Sequence, residues 1–508
     1  MSRALVYEDF PDFVLLNKPP GFSTHAVDDS KPGITELLSA QIGRRLYVVH
    51  RLDKETSGLL ILAKSPSVAK DLAALFAEGK IHKTYRMRSS AKKQKQILVA
   101  KSYIFREGKE VLSDWSREAN SVTEFTLSHD VCWYARPLTG KPHQIRLHAR
   151  DSGLTILGDS RYGGEPYPTL CLQSAKLEFA WKGQSYSFSA SEPFWWRETE
   201  NFLAEWLAGI ERRKLSFGPC PEQECLRLVH SESSNFRVDK LGHVIWIYWY
   251  RNSQPSEDEK TCLAEAASGL GCSAWIREMK NRGAGLGNSF LLPLGNPPRF
   301  WVASENGIKF YLRSDRGLSP GLFLDQRENR LRVFREAKGL RVLNLFCYTG
   351  GFSLAAALGG AREVCSVDVN RSYLQWAKEN FLLNSLDPAQ LEFWVQDSRL
   401  FLKGAVKRGR KFDLVICDPP SLGRSDSGVF RIEKDFCELL QDCTKVLSPK
   451  GKILFSTNYE KWSSSQWKKK IFSCLEKKFN VEGPSLAPLD FEGPTEEPLM
   501  KSWWISLH

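Results

Sequence analysis

The sequence predicts a multidomain chain of three folded blocks. The first is α+β with a mixed sheet, the second small and α/β, and the third α/β with a mostly parallel sheet between helices. Three observations lead there. The chain has 508 residues, too many for one hydrophobic core, and at roughly 100 to 200 residues per domain it fills two to four domains. Up to about residue 195 short β runs alternate with turn signals, whereas after residue 305 strands and helices take turns. The second rhythm is that of parallel strands joined by crossover helices.

In the first block, residues 1–200, "FVLLNKPPGFS" reads as a strand stopped by Pro-Pro-Gly, "LLILAK" as a buried strand, and "SVTEFTLSHD" with "CWYARPLTG" as a hairpin. Between them "SPSVAKDLAALFAEGK" is a helix. Ser65 caps it, Pro66 suits its first turn, Gly79 ends it, and Val68, Leu72, Leu75 and Phe76 form its apolar face. Residues 201–221 follow as a helix ending in "ERRK" and a Pro- and Gly-bearing linker. The second block, 222–305, offers a strand pair in "FRVDKLGHVIWIYWY" and a helix in "EDEKTCLAEAASGL", with no chemistry that its residues compel. In the third block, 306–508, "RVLNLFCYTGG", "EVCSVDV", "EFWVQD", "FDLVICDPP" and "KILFSTN" are strands. "RSYLQWAKENFLLN" and "CELLQDCTKVL" repeat apolar residues every three or four positions. A sheet of that kind binds its ligand beyond the carboxyl ends of the strands, where Asp368, Asp397 and Asp418 fall.

Composition narrows the function classes. With 42% apolar and 26% charged residues the chain is an ordinary globular one. No apolar run approaches the roughly 18 residues a membrane span needs, and "MSRALVYEDFPDF" is not patterned as a signal peptide. A cytoplasmic protein without membrane contact is expected. Twelve cysteines include no CxxC pair, so reduced structural thiols and no metal are expected, and His143 and His148 lack metal partners. The net charge of +12, with basic runs at 91–95, 407–411 and 468–470, suits a polyanionic partner.

Asp53 stands out, set beside the basic pair His50 and Arg51 and ahead of a buried strand. "HRLDKETSG" (50–58) is followed by "HKTYR" (82–86), "RPLTGKPHQIRLH" (136–148), "ILGDSRYGG" (156–164) and "LCLQSAKLEF" (170–179). In order and spacing these resemble the motifs of RluA-type pseudouridine synthases. The resemblance implies isomerisation of uridine in RNA, with no cofactor. It gives Asp53 as nucleophile, Arg146 as its ion-pair partner, Tyr85 against the target base, and Arg51 as the residue that displaces the base or fills its place. A nearby cation lowers a carboxylate's pKa by typically 1 to 3 units, which keeps a nucleophilic aspartate ionised. Pro142 stands where the family usually has threonine, a change that bears on substrate choice because proline fixes φ and removes a donor.

The third block resembles class I S-adenosylmethionine-dependent methyltransferases with a Rossmann-like sheet. "GLFLDQR" (321–327), "NLFCYTGG" (344–351), "DPPSLGRS" (418–425) and "FRIEKDF" (430–436) resemble the RlmK and RlmI kind of 23S rRNA methyltransferase, and "LRLVHSESSNFRVDKLGHVI" (226–245) resembles their accessory domain. The second block is then expected to be a spacer or an RNA-facing platform. The resemblance implies that Asn344, Phe346, Tyr348, Gly350, Asp368, Asp397 and Pro419 line the S-adenosylmethionine site and that Asp418 faces methyl transfer. A full GxGxxG is absent, which weakens a nicotinamide reading.

Carbon 5 of cytosine is not nucleophilic until a thiolate adds to carbon 6, whereas guanine nitrogen 7 carries a lone pair and needs only positioning. The strand after Asp-Pro-Pro ends in Thr457 and Asn458 with no cysteine, and Cys417 should face away from Asp418. Guanine N7 is therefore favoured. Cytosine C5 or an exocyclic amine remains the alternative for the second half, and an RNA-binding assembly factor with one active half is the competing class. The whole reads as a bifunctional RNA-modifying enzyme whose partner is RNA, 23S rRNA or its precursor, with tRNA left open for the first half.

Overall fold

The computed structural model describes all residues except 1–4, 27–31, 90, 92–95, 198–200, 219–220, 280–289, 426–427, 476–478, 486, 492–499 and 508. The basic run at 91–95 lies, apart from Ala91, outside the described residues. Two compact units emerge. One runs through Cys220 and takes in Glu232–Ser234; the other comprises Pro221–Ser231 and Asn235–His508.

The first unit is built on an 11-stranded sheet. The strand Ser57–Ala63, buried along its whole length, lies between Phe13–Lys18 and Leu172–Trp181. The sheet is mixed because Leu172–Trp181 runs parallel to Ser57–Ala63, whereas Phe13–Lys18 is antiparallel to it. Continuous burial of "SGLLILA" on both faces explains why these seven residues do not alternate. Gly58, at φ +110°, permits the close strand approach, since a Cβ there would sit 2.3 Å from the Ser174 carbonyl oxygen. Helix Pro66–Ala77 is capped by Ser65 and buries Val68 and Leu72 against this sheet's core. Helix Gln144–Asp151 buries six of its eight residues. Its His148 is held at both ring nitrogens, by Ser102 at 2.9 Å and Thr123 at 2.8 Å, as a structural group.

In the second unit a five-stranded sheet, starting with Cys225–Val229 and ending with Leu291–Leu294, precedes the hairpin Phe300–Glu305 and Ile308–Arg313. The expected boundary at 305/306 falls on the turn of that hairpin. It is no gap in packing: Trp246, Trp275, Trp301 and Phe310 share one core with Val342, Leu354 and Leu414. A seven-stranded sheet follows in the order Glu392–Val395, Glu363–Asp368, Arg341–Leu345, Phe412–Cys417, Leu447–Thr457, Lys501–Leu507, Phe479–Glu482. Its first five strands are parallel, and Lys501–Leu507 runs antiparallel to both of its neighbours, Leu447–Thr457 and Phe479–Glu482. The chain reverses direction across the sheet between Arg341–Leu345 and Phe412–Cys417, which opens a ligand crevice at their carboxyl ends.

One cysteine expectation changes. Cys437 and Cys474 form a disulfide, because two helices, Ile432–Lys445 and Ser464–Cys474, pack closely enough to set their Cα atoms 5.4 Å apart. Cys132, Cys171, Cys225, Cys347, Cys365, Cys417 and Cys443 are free thiols. No helix among the described residues is long and apolar enough to cross a membrane.

Candidate active sites

In the first unit Asp53 sits on a loop that is pinned on both sides. Thr24 Oγ1 donates to the Leu52 carbonyl at 2.9 Å, the Gly21 amide donates to the Lys54 carbonyl at 2.9 Å, and the Thr56 amide reaches the Asp53 carbonyl at 3.1 Å. Lys18, fully buried, donates to the Pro19, Phe22 and Lys54 carbonyls at 3.1, 2.9 and 3.0 Å. Burial brings its pKa down to about 7, although the charges of Glu55 and Asp53 work in the opposite direction. The turn "NKPPGF" is thereby clipped to the nucleophile candidate's loop.

Arg146 meets Asp53 through Nη1 to Oδ2 at 3.2 Å. Behind it Asp159, 1% exposed, grips the same guanidinium twice, from Nε at 2.8 Å and Nη2 at 2.7 Å. Burial opposes the charge on Arg146, but the two carboxylates more than offset it and leave the guanidinium fixed as a cation. Asp159 also accepts from the Tyr162 amide, and Arg146 lies 5.0 Å from the Tyr162 ring centre. His143, in the left-handed region at φ 51°, places Nε2 3.8 Å from Asp53 Oδ1 and pairs Nδ1 with the Tyr162 hydroxyl at 2.7 Å. Burial lowers its pKa, the Asp53 charge opposes that, and the net effect keeps the ring neutral.

Tyr85 is buried on strand His82–Arg88, and its pKa is raised, first by burial and then by the charge of Asp53. At neutral pH it is therefore a proton donor. Arg51 is exposed and forms no ion pair among the described residues. His50 departs from the basic pair of the sequence reading: it accepts the Ile61 amide at 3.0 Å, stacks on Phe76, and burial drives its pKa down to about 3. The cation next to Asp53 in space comes instead from position 146. Asp159, His143 and Tyr162 were missed as site residues. The signal for Asp159 and Tyr162 lies in "GDSRYGG" (158–164), and that for His143 in "GKPHQIRLH" (140–148).

In the second unit the loop after the first parallel strand is strained. Phe346, Tyr348 and Gly350 have φ of 54°, 49° and 78°, so two side-chain-bearing residues adopt left-handed backbone. Asp368 holds this loop: Oδ2 accepts the Tyr348 amide and Oδ1 the Asn370 amide, both at 2.9 Å. Burial raises its pKa against those backbone bonds. Each oxygen keeps a further lone pair, and the next residue, Val369, is 49% exposed. A diol acceptor beside an exposed apolar side chain fits an adenosine moiety.

Gly350 starts helix Gly351–Leu358, and a Cβ there would lie 2.8 Å from that of Ala377, so its smallness serves helix packing. Asn344 departs from its expected place in the lining: 1% exposed, it donates to Ser353 at 2.8 Å and ties the strand to that helix. Phe346 donates its amide to Ser398 at 3.3 Å. Asp397 caps helix Ser398–Lys407 through the Arg399 amide and pairs with the Arg399 side chain at 3.1 Å, so it carries a structural load at its expected position. Pro419 is buried beside Asp418.

Gln326 donates to Asp418 at 3.0 Å. Burial, then the Asp325 charge, raises the Asp418 pKa to about 7. The folded carboxyl thus keeps its proton to about pH 7, while an unfolded aspartate loses it near pH 4. The native state binds more protons across that window, and its stability falls as pH rises through it. Asp418→Asn is expected to raise the melting temperature by roughly 2–4 °C at about pH 8 and hardly at all at about pH 4. Calorimetry at the two pH values checks this. Cys417 is buried in the core on the far side of its strand, beside Cys443, and burial raises its thiol pKa well above the usual value. Cys347 is likewise buried with a raised pKa. Asn458, exposed, accepts from Ser421 at 2.8 Å. Among the described residues no group of three or more His, Cys, Asp or Glu could hold a metal ion.

Comparison with known proteins supports both halves. Residues 12–151 match the RNA pseudouridylate synthase family model, and residues 285–464 the S-adenosylmethionine-dependent methyltransferase model. The chain carries both enzyme domains. Its methyltransferase part is 38% identical over 216 residues to ribosomal RNA large subunit methyltransferase K/L of Shewanella sp. strain MR-4, covering 41% of this chain and 29% of that protein. It is 42% identical over 160 residues to ribosomal RNA large subunit methyltransferase K of Neisseria meningitidis serogroup B, covering 31% and 45%. The chain thus spans less than half the length of either relative. The crystal structure of SMU.776, assigned as a methyltransferase and complexed with SAH, superposes with a TM-score of 0.54 at 26% identity, covering 65% of this chain and 88% of that one.

Proposed function

We propose that the chain is a bifunctional RNA-modifying enzyme that forms pseudouridine with its first unit and methylates an rRNA base with its second. The observation that carries the first half is Asp53 held against Arg146 on a pinned loop, beside buried Tyr85. In this reading Asp53 supports cleavage of the N1–C1′ bond of an unstacked uridine. The base turns, C5 bonds to C1′, the C5 proton leaves, and N1 gains one. Arg146 aims Asp53 through their ion pair, Tyr85 packs against the base and donates from its hydroxyl, and exposed Arg51 is free to occupy the vacated stack.

Asp159 acts on this site through Arg146. Asp159→Asn keeps the shape but removes a buried charge, and should cost about 3 kcal/mol of stability and lower kcat more than it raises KM. Urea unfolding and steady-state kinetics test this; unchanged values in both would remove Asp159 from the site.

For the second half, S-adenosylmethionine supplies an electrophilic methyl group. Asp368 would accept its ribose hydroxyls, with Phe346, Tyr348, Gly350, Asp397 and Pro419 shaping the crevice and Asn344 supporting it from behind. Guanine N7 remains the favoured acceptor, supported by both candidate thiols, Cys347 and Cys417, being buried and protonated. Asp418 favours a second reading, an exocyclic amine, because that amine loses a proton on methylation and a carboxylate titrating at about 7 accepts one. Mass-spectrometric mapping of nucleosides in rRNA from cells with and without the gene decides. Loss of one pseudouridine and one 7-methylguanosine is expected, and no change in either modification would refute the proposal.

A further inference from the structure

We propose that a cationic cavity beside the helix Arg371–Leu383 binds the phosphodiester backbone of a single RNA strand, an inference that rests on the second unit being an RNA methyltransferase. The cavity measures about 420 Å³, and Arg313, Arg316, Arg371 and Lys378 line it around Trp376 and Phe393. Its one acidic lining residue, Glu379, is already engaged by Arg313. Among the described residues, no carboxylate pairs with Arg316, Arg371 or Lys378.

The cations are partly held in place. The Arg313 guanidinium lies 5.0 Å from the Trp376 ring centre and 5.4 Å from that of Phe300, and its Nε is buried without a hydrogen-bond partner. Lys378 Nζ lies 5.2 Å from the Phe393 ring centre. Like charges gathered around one cavity repel each other, and a bound polyanion relieves that repulsion.

Two features select the ligand. Besides the cations, the lining includes the partly exposed Phe393 and the 47%-exposed Val395, so it pairs charge with aromatic and apolar surface as a nucleotide does and an inorganic ion does not. S-adenosylmethionine is a poor occupant, because its sulfonium adds a positive charge and it carries no phosphate. The helix begins three residues after Asp368, and its Tyr373 ring lies 4.6 Å from that of Tyr348 in the strained loop. A strand seated in the cavity would therefore run close to the methyl-transfer crevice of the same unit.

The test uses the full chain with a fluorescein-labelled single-stranded RNA, and with S-adenosylmethionine titrated separately. Arg316→Ala, Arg371→Ala and Lys378→Ala combined should weaken RNA binding about tenfold or more and reduce the salt slope by about 2 to 3, with S-adenosylmethionine affinity unchanged. Arg316→Lys with Arg371→Lys should retain the RNA affinity. Unchanged RNA affinity and slope in the triple variant would overturn the proposal. So would a fall in cofactor affinity, which would assign the cavity to the crevice. Failure of the parent protein to bind S-adenosylmethionine would count against the methyltransferase reading itself.

Discussion

Asp53→Asn should lower pseudouridine formation by about 10³-fold or more while RNA affinity stays within about twofold. The argument is geometric. Asparagine has the same shape, and Arg146 does not depend on Asp53 for its position, because Asp159 already holds it through two hydrogen bonds of 2.8 and 2.7 Å. The loop is likewise fixed by backbone contacts from Thr24, Gly21 and Lys18. Only the charge and the nucleophilic oxygen are lost. Tritium release from carbon 5 of labelled uridine in RNA reads the chemistry, and fluorescence anisotropy reads the binding. Turnover retained in the variant would eliminate Asp53 as nucleophile.

Asp368→Ala carries the second large effect. Two charge-assisted hydrogen bonds to a ribose diol contribute roughly 3 to 6 kcal/mol together, so S-adenosylmethionine affinity should fall about 10²-fold or more. The same carboxylate accepts the Tyr348 amide at 2.9 Å, and its removal also releases a loop held at φ 49°. Asp368→Asn separates the two roles: it keeps an acceptor for the loop but loses the charge, and an intermediate affinity is expected. Isothermal titration calorimetry on both variants decides, and affinity equal to the parent's in the alanine variant would exclude the ribose assignment.

Motif order makes the two domain families legible in the sequence. Asp53, Tyr85 and Arg146 lie in three separate strings, and their convergence follows from a sheet that brings strand His82–Arg88 and the ends of Ser57–Ala63 and Leu172–Trp181 side by side. Strand and helix periods gave the elements themselves, down to the Ser65 cap. Less legible were residues whose role depends on what buries them. His50 reads as basic beside Arg51, yet desolvation and the Ile61 amide make it a neutral acceptor. Asn344 reads as a lining residue, yet its amide is spent on Ser353.

Local period and residue type suffice to assign the class of each domain, the carboxylates at the strand ends and the basic balance. Contacts across the fold are needed to show that Asp159 clamps Arg146 from behind, that the second and third blocks share a core through Trp246, Trp301 and Val342, and that three cations with no carboxylate partner among the described residues border one cavity. Those facts depend on contacts between residues far apart in the chain and on how deeply each is removed from water, quantities that no local pattern encodes.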